Sequence, residues 1–447
     1  MTSRRNFLIS LAATGAAAAF NKGELLLQTP AADDGSRSDP GRPGADYNPV
    51  VVPNGSKLPF KVVDGVKVFH LIAHELEHEF APDLKAKCWG YSGLVNAQVI
   101  EAVEGDRVRI YVTNRLPAPT TVHWHGFILP NGMDGVSGLT QAPIPVGETW
   151  VYEFDLVQKG TFMFHSHHDT MTQEGMGLTG MFIIHPREPM GPRVDRDFAL
   201  MLHEWRIEAG ARRPDPNEMS DFNVLTINGK VFPFLDPLVV RQGQRVRMRI
   251  CNLSAMDHHT IHLHGYEFSV TAVDGQGIPD SQQRKRVTTL VGVGETRDIE
   301  FDAVHPGDWA FHCHMTHHVM NQMGHEFPNM IGFNKEGFDQ RVRSLLPGYM
   351  TMGATGMKDM TDTSMPIPKN SIPMAKGRGG FNAQISLGGM AGVVKVRKDL
   401  TDAALEGNED PGWYDHPEGT VASPASKQQL ERDGVDLGAS IDPGRSL

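Results

Sequence analysis

Residues 147–167 read GETWVYEFDLVQKGTFMFHSH, and residues 294–314 read GETRDIEFDAVHPGDWAFHCH. The two stretches align without a gap and are identical at 11 of their 21 positions. A second match precedes them, because EGDRVRI at 104–110 resembles QGQRVRM at 242–248. An internal repeat of this kind indicates two homologous domains in one chain.

Polar and apolar residues alternate within each repeat, which predicts β-strands. The pattern is clearest in RVRIYV at 107–112 and in RVRMRI at 245–250, since successive side chains of a strand point to opposite faces. No sustained helical pattern occurs in either repeat. We therefore predict an all-β protein with two tandem Greek-key β-sandwiches of antiparallel strands at 60–190 and 196–335, and a less regular C-terminal extension at 340–447.

The composition excludes several classes of protein. The net charge is −11, whereas a nucleic-acid-binding domain would present a basic patch. Three cysteines in 447 residues are too few for a disulfide scaffold. The 21 histidines and 22 methionines are numerous, and both residue types bind copper. A transition metal is therefore expected.

The N-terminus resembles an export signal. Arg4 and Arg5 form a twin-arginine pair, and an apolar run follows at 8–20 that is too short to span a bilayer. We interpret residues 1–45 as a twin-arginine signal and linker, and expect a periplasmic or extracellular protein. No other segment is a candidate for membrane insertion.

Four His-x-His pairs stand in register with the repeat. Residues i and i+2 of a strand share one face, so each pair can offer two imidazoles to one site. Eight histidines from four strands can enclose a copper cluster between domains, whereas the alternative is a set of exposed surface histidines. The eight are His123, His125, His165, His167, His262, His264, His312 and His314.

Cys313 lies between His312 and His314, so its side chain points to the opposite face of the strand and needs a metal of its own. With His259, His318 and Met323 it gives the ligand set of a blue-copper electron-transfer site, in which Met323 is the weak axial ligand. Ser166 occupies the equivalent position in the first repeat and cannot supply a thiolate. Only the second domain should carry this site.

These motifs resemble those of the multicopper oxidases, specifically the two-domain laccase-like group. The resemblance covers about residues 60–335 and implies the cupredoxin fold. It implies four coppers per chain, of which one is type 1, one is type 2 and two are type 3. The implied type 1 ligands are His259, Cys313, His318 and Met323.

The resemblance also divides the cluster histidines among the other three coppers. His123 and His262 would bind the type 2 copper. One type 3 copper would be held by His125, His165 and His314, and the other by His167, His264 and His312. Each domain thus supplies four ligands, and the resemblance implies a homotrimer with clusters between subunits.

The implied reaction couples the one-electron oxidation of a phenolic or similar small reductant to the reduction of dioxygen to water. His318 would accept the electrons and Cys313 would pass them to the cluster. A close alternative makes Cu(I) the reductant, which would confer copper tolerance. It is motivated by six methionines within 350–374, although a covering arm that packs against a neighbour is the preferred interpretation of these residues.

Two further alternatives use fewer metal ligands. A copper nitrite reductase needs only one type 2 copper per interface, so eight cluster histidines argue against it. A non-catalytic copper carrier or electron-transfer protein would not need the cluster at all.

Asp134 follows His123 by eleven residues, and the resemblance implies that it relays protons to the cluster. Reduction of dioxygen consumes protons, so a carboxylate at this place has a physical purpose. The alternative is that Asp134 only serves the turn NGMDG.

Two other groups of residues are open to a metal or disulfide interpretation. His70, His74 and His78 share one face of a predicted strand, for which a solvated face is preferred over an extra metal site. Cys88 and Cys251 could pair after export, or remain structural thiols.

Overall fold

The computed structural model describes most of the chain from residue 39 onward. The described residues are 39–188, 191–208, 210–320, 334, 336–347, 349, 351, 379–383, 385–407 and 409–435. The twin-arginine pair, Met323 and the six methionines of 350–374 lie outside these ranges.

The first sandwich is built from two five-stranded sheets. In spatial order, one sheet contains β1 (Ser56–Lys57), β5 (Gln98–Val103), β10 (Thr179–His185), β9 (Gly160–His165) and β7 (His123–His125). The other contains β2 (Phe60–Val63), β3 (Val66–Ala81), β6 (Arg107–Arg115) and β8 (Thr149–Asp155), with β4 (Leu84–Tyr91) paired to β3. The inward faces bury a core that includes Trp124, Phe154, Phe164 and Phe182.

The second sandwich has the same layered arrangement. Its larger sheet contains β12 (Val224–Ile227), β11 (Arg196–Trp205), β14 (Arg245–Asn252), β20 (Thr296–Asp302), β16 (Phe268–Val273) and β17 (Gln276–Gly277), with β18 (Lys285–Arg286) paired to β16. Its smaller sheet contains β13 (Leu238–Arg241), β22 (Ala391–Arg397), β21 (Gly307–Cys313), β15 (His259–Leu263) and β19 (Thr288–Val291).

The sheets are mixed, which differs from the predicted antiparallel arrangement. Pairs such as β6–β8 and β14–β20 are antiparallel, but β3–β6, β5–β10 and β11–β14 are parallel. Alternation of polar and apolar residues reports which face is buried and carries no information on strand direction. The repeat nevertheless places equivalent strands at equivalent positions.

Strand β22 returns to the second sandwich from the C-terminal extension. It lies between β13 and β21, and Ala391 pairs with His312. The sequence assigned this region to the extension at 340–447, because the repeat ends near residue 335. The division of the chain into domains remains a prediction, with β22 as an addition to the second one.

A buried layer joins the two sandwiches. Met163 and Met181 from the first pack with Met201 and Cys251 from the second. The guanidinium of Arg249 lies in the same region. It contacts the carboxylates of Asp197 at 2.8 Å and Asp298 at 3.2 Å, and donates to Thr161 Oγ1 of β9 at 2.8 Å. Both apolar packing and a buried ion cluster therefore connect the domains.

Helices contribute little to the architecture. In the described part of the chain they are α1 (Thr170–Gly175), α2 (Glu336–Arg343), α3 (Asp402–Leu405) and α4 (Lys427–Arg432). Within the described ranges, no helix combines the length and the apolar character that crossing a bilayer requires.

Candidate metal centres

The four histidines of the first domain lie together at the edge of one sheet. β7 is the edge strand, and its pairing with β9 sets His123 directly opposite His165. Nδ1 of His125 is 3.2 Å from Nε2 of His165, and the ring centroid of His167 is 5.4 Å from that of His123. Trp124, between the two histidines of β7, points into the core. Because successive side chains of a strand point to opposite faces, the two histidines share one face and Trp124 occupies the face that packs into the core.

The second domain repeats this arrangement on β15 and β21. His262 pairs with His312, and Nε2 of His264 is 3.2 Å from Nε2 of His312. The ring of His314 lies 5.5 Å from that of His262 between centroids. His264 and His314 are exposed, whereas His165 in the first domain is buried.

Main-chain carbonyl oxygens fix the orientation of four of these rings. In each ring Nδ1 donates to the carbonyl, so Nε2 remains free for a metal. The contacts are His123 to Asp134 at 2.8 Å, His165 to Ser166 at 2.9 Å, His262 to Val287 at 2.7 Å and His312 to Cys313 at 2.8 Å.

A second group of ligands lies on the other face of β21. Sγ of Cys313 is 3.7 Å from Nδ1 of His259 and 3.4 Å from Nδ1 of His318, and the two nitrogens are 3.0 Å apart. All three side chains are buried. A point equidistant from the three atoms lies about 2.0 Å from each, close to the roughly 2.0–2.3 Å at which imidazole and thiolate bind a first-row metal.

Comparison with known proteins identifies the family. Two multicopper oxidase family models match the chain, at residues 74–189 and 208–332. The chain belongs to the multicopper oxidase family. These matches confirm the predicted multicopper oxidase family and, with it, the cupredoxin fold. Copper is the metal of that family.

Individual curated proteins resemble parts of this chain. Copper resistance protein A of Escherichia coli is 30% identical over 257 residues, which cover 46% of this chain and 42% of that protein. The laccase of Pycnoporus cinnabarinus is 32% identical over 199 residues, covering 41% and 38%. The chain spans less than half the length of these curated relatives.

A solved structure resembles a larger share of the chain. The multicopper oxidase mgLAC matches with a TM-score of 0.56 and 26% identity, over 75% of this chain and 87% of that one. The likeness therefore covers more than one sandwich.

The donor set of the buried group suits copper. One thiolate and two imidazoles are the ligands of blue-copper sites. Burial lowers the pKa of His259 and of His318, so both rings are neutral at pH 7, as metal binding requires. Burial raises the pKa of the Cys313 thiol, and a coordinated metal reverses that effect because it deprotonates a thiol.

The histidine sets differ in their electrostatics. Burial and the neighbouring rings lower the pKa of His125 to about 4. Burial also acts to lower the pKa of His165, but Glu174 outweighs it and the pKa is raised. In the second domain, burial lowers the pKa of His264 and of His312.

Asp134 lies beside the histidine set of the first domain. Its carboxylate oxygen is 3.4 Å from Nδ1 of His123, and its backbone carbonyl accepts the hydrogen bond from the same nitrogen. The side chain is partly exposed. Asp134 therefore touches both a predicted ligand and solvent.

Two carboxylates near the sites were not predicted from the sequence. Oε1 of Glu174 is 2.8 Å from Nδ1 of His165. Glu204 is buried beside Asp257, and burial followed by the charge of Asp257 raises the pKa of Glu204 to about 8. Oδ2 of Asp257 lies 3.7 Å from Nε2 of His318. Neither glutamate belongs to a His-x-His motif, so only the fold brings them to the ligands.

The other histidine group has separate hydrogen-bond partners. Nε2 of His70 bonds Thr113 Oγ1 at 2.7 Å, and Nε2 of His78 donates to the Gly229 carbonyl at 2.7 Å. Nε2 of His74 accepts from the Gly93 amide. These three residues thus form no common site.

The three cysteines all lie in the described part of the chain and are free thiols. Cys88 and Cys251 are buried in different apolar clusters. Their place in the core favours the structural alternative over a disulfide.

Proposed function

We propose that this chain is an exported, laccase-like multicopper oxidase. It would couple one-electron oxidation of phenolic or similar small reductants to the four-electron reduction of dioxygen to water. The observation that carries this proposal is the placement of Cys313. Its thiol lies with His259 and His318, and peptide bonds join it to His312 and His314 of the histidine set. A one-electron site is thereby linked covalently to one that can collect several electrons.

The proposed copper content is four per chain. Copper, when bound, supplies electron transfer at the Cys313 site and dioxygen reduction at the histidine cluster. The ligand assignment follows the resemblance described above, with Met323 as the axial type 1 ligand. The 3.2 Å contacts support two of its pairings, because His125 adjoins His165 and His264 adjoins His312.

The role proposed for Asp134 is delivery of protons to the cluster. Its carboxylate is next to His123 and reaches solvent, so it can take up a proton outside and release it inside. At the other site, the proposed role of His318 is to receive electrons from the reductant. The carboxylate of Asp257 lies 3.7 Å from Nε2 of that ring, and Glu204 accepts a hydrogen bond from the Asp257 amide.

The assembly we propose is a homotrimer in which the histidines of one domain meet those of the other domain in a neighbouring chain. Two features support it. Among the described residues, every histidine–histidine ring contact at the cluster joins members of the same domain. His264 and His314 are also open to solvent in the single chain.

Export by the twin-arginine route to the periplasm or cell exterior is part of the proposal. It rests on the Arg4–Arg5 pair and the apolar run that follows.

Oxidation of Cu(I) is a second candidate function. Met256 and Met315 are exposed, and each adjoins a residue of the metal centres, Asp257 or His314. Thioethers prefer Cu(I). The similarity to copper resistance protein A points the same way.

Oxygen uptake by the copper-loaded full chain tests the proposal. We expect uptake with a phenol as the sole reductant, and loss of that uptake in Cys313→Ser. Cys88→Ser is the matched control, because it makes the same exchange at a buried thiol that lies outside the metal centres. Uptake with Cu(I) alone would favour the second candidate. Absence of uptake with either reductant, despite a blue absorption band, would contradict an oxidase and favour a nitrite reductase or an electron carrier.

A further inference from the structure

Glu174 contacts a cluster histidine from a short helix that the His-x-His motifs do not include. It lies on α1, and its Oε1 atom is 2.8 Å from Nδ1 of His165. The side chain of His165 is 8% exposed and that of Glu174 is 19% exposed. The carboxylate therefore stands against the ring in a largely dry environment, where charges interact strongly.

The other contacts of the ring define what Glu174 can do. The Nδ1–H of His165 is directed at the Ser166 carbonyl, at 2.9 Å, and Nε2 faces Nδ1 of His125. Only Nε2 is free for a metal. Oε1 of Glu174 is buried and accepts no hydrogen bond of good geometry from the described residues, although it lies close to the His165 ring. An unsatisfied buried carboxylate oxygen costs free energy, unless a positive charge develops next to it.

We propose that Glu174 is a positioning residue for copper in the first domain. Its carboxylate stabilises the positive charge that the His165 ring acquires when Nε2 binds the metal, and so raises the copper affinity of this half of the cluster. This inference rests on the proposed function, since it assumes that His165 is a ligand. Carboxylate–histidine–metal arrangements have the same physical basis in other metalloproteins.

Neighbouring residues hold the carboxylate in place. Gln173, the residue before it, is buried, and its Oε1 accepts hydrogen bonds from Thr120 at 2.7 Å and Ser166 at 2.5 Å. Its Nε2 donates to the Pro119 carbonyl at 2.8 Å. The helix is thus anchored at the residue next to Glu174.

Within the described ranges, the equivalent ring of the second domain has no carboxylate partner of this kind. Nδ1 of His312 bonds only the Cys313 carbonyl, at 2.8 Å, among the described residues. The carboxylate therefore strengthens copper binding by the histidines of the first domain and not by those of the second. We expect the two halves of the cluster to differ in copper affinity.

The test compares copper retention in Glu174→Gln with that in the wild type. The copper-loaded full chain is equilibrated with increasing concentrations of a chelator, and the copper left per chain and the blue absorption are measured together. We expect Glu174→Gln to lose cluster copper at chelator activities about 10–100-fold lower than the wild type, with the blue band unchanged. Glu148→Gln is the matched control, because its carboxylate accepts from Trp150 Nε1 on the surface of the same domain.

Each other outcome overturns the proposal in a recognisable way. Equal retention of cluster copper in Glu174→Gln and the wild type would show that Glu174 does not act on the metal. Parallel loss of the blue band and cluster copper would assign Glu174 to general stability. A wild type that binds only one copper would overturn both this inference and the proposed function.

Discussion

The two histidine sets share one construction and differ in what surrounds them. In both domains a histidine of one strand pairs directly with a histidine of the next, His123 with His165 and His262 with His312. The first set is more buried and adjoins the carboxylates of Asp134 and Glu174. The second set is more open and is joined through the main chain to Cys313. The difference agrees with the proposed roles, in which the first domain handles charge and protons and the second supplies electrons.

Among the substitutions that test the difference between the two histidine sets, we expect the largest effect on turnover at Asp134. We expect Asp134→Asn to slow oxygen reduction by about 10²-fold or more, because an amide cannot release a proton, while its backbone carbonyl still orients His123. Turnover is measured at saturating phenol, together with copper content. Asp169→Asn, an exposed position in the same domain, should have little effect. Unchanged turnover in Asp134→Asn would leave Asp134 a turn residue.

The connection between the two domains depends on a buried ion cluster, and breaking it should cost stability. Arg249→Ala removes the buried counter-charge that Asp197 and Asp298 share, and leaves Asp197 with the more distant guanidinium of Arg247 at 3.4 Å. We expect the free energy of unfolding to fall by about 3–5 kcal/mol, measured by denaturant unfolding of the copper-free protein. Arg193→Ala is the control, because this side chain is exposed and should contribute less than about 1 kcal/mol. Equal effects of the two substitutions would contradict the role of the cluster.

The domains also differ at an equivalent histidine. Asn114 and Asn252 occupy equivalent positions in the two repeats. His74 directly follows the residue that pairs with Asn114, and His203 directly follows the residue that pairs with Asn252. His74 is only partly buried, whereas His203 is fully buried and donates to the Leu253 carbonyl. Burial lowers the pKa of His203 to about 4.

This burial predicts a dependence of stability on pH. The pKa of His203 is about 4 in the folded chain and about 6.5 in an unfolded one, so folding favours the neutral ring. The resulting stability is fully present above pH 6.5 and is lost as the pH falls toward 4. We expect a loss of about 2 kcal/mol between pH 7 and pH 5 from this residue. His203→Phe should remove that part of the slope, and His74→Phe should retain it. An identical slope in both variants would contradict the prediction.

The sequence predicted which of the candidate ligands lie on a common face, because strand periodicity is a local property. It places His123 and His125 on one face and Trp124 on the other, and sets Cys313 opposite its flanking histidines. The fold class followed from the same alternation.

Strand periodicity could not predict contacts between residues that are distant in the sequence or lie on different elements. Glu174 meets His165 only because α1 folds back over the end of β9, and Glu204 meets Asp257 only across the loop after β14. Strand β22 joins the second sandwich after a long intervening segment, for which the repeat has no equivalent. Parallel pairing likewise depends on how strands cross between sheets, which alternation does not encode.

The central claim is that one chain provides both a thiolate copper site and half-clusters of histidine, and copper counting tests it most directly. The full chain is loaded with copper, freed of loosely bound metal, and analysed for copper per chain together with its absorption and paramagnetic resonance spectra. The account predicts four coppers per chain, a blue absorption band, and two coppers that give no paramagnetic signal because they are paired. A single copper per chain with a blue band would contradict the cluster and reduce the protein to an electron carrier.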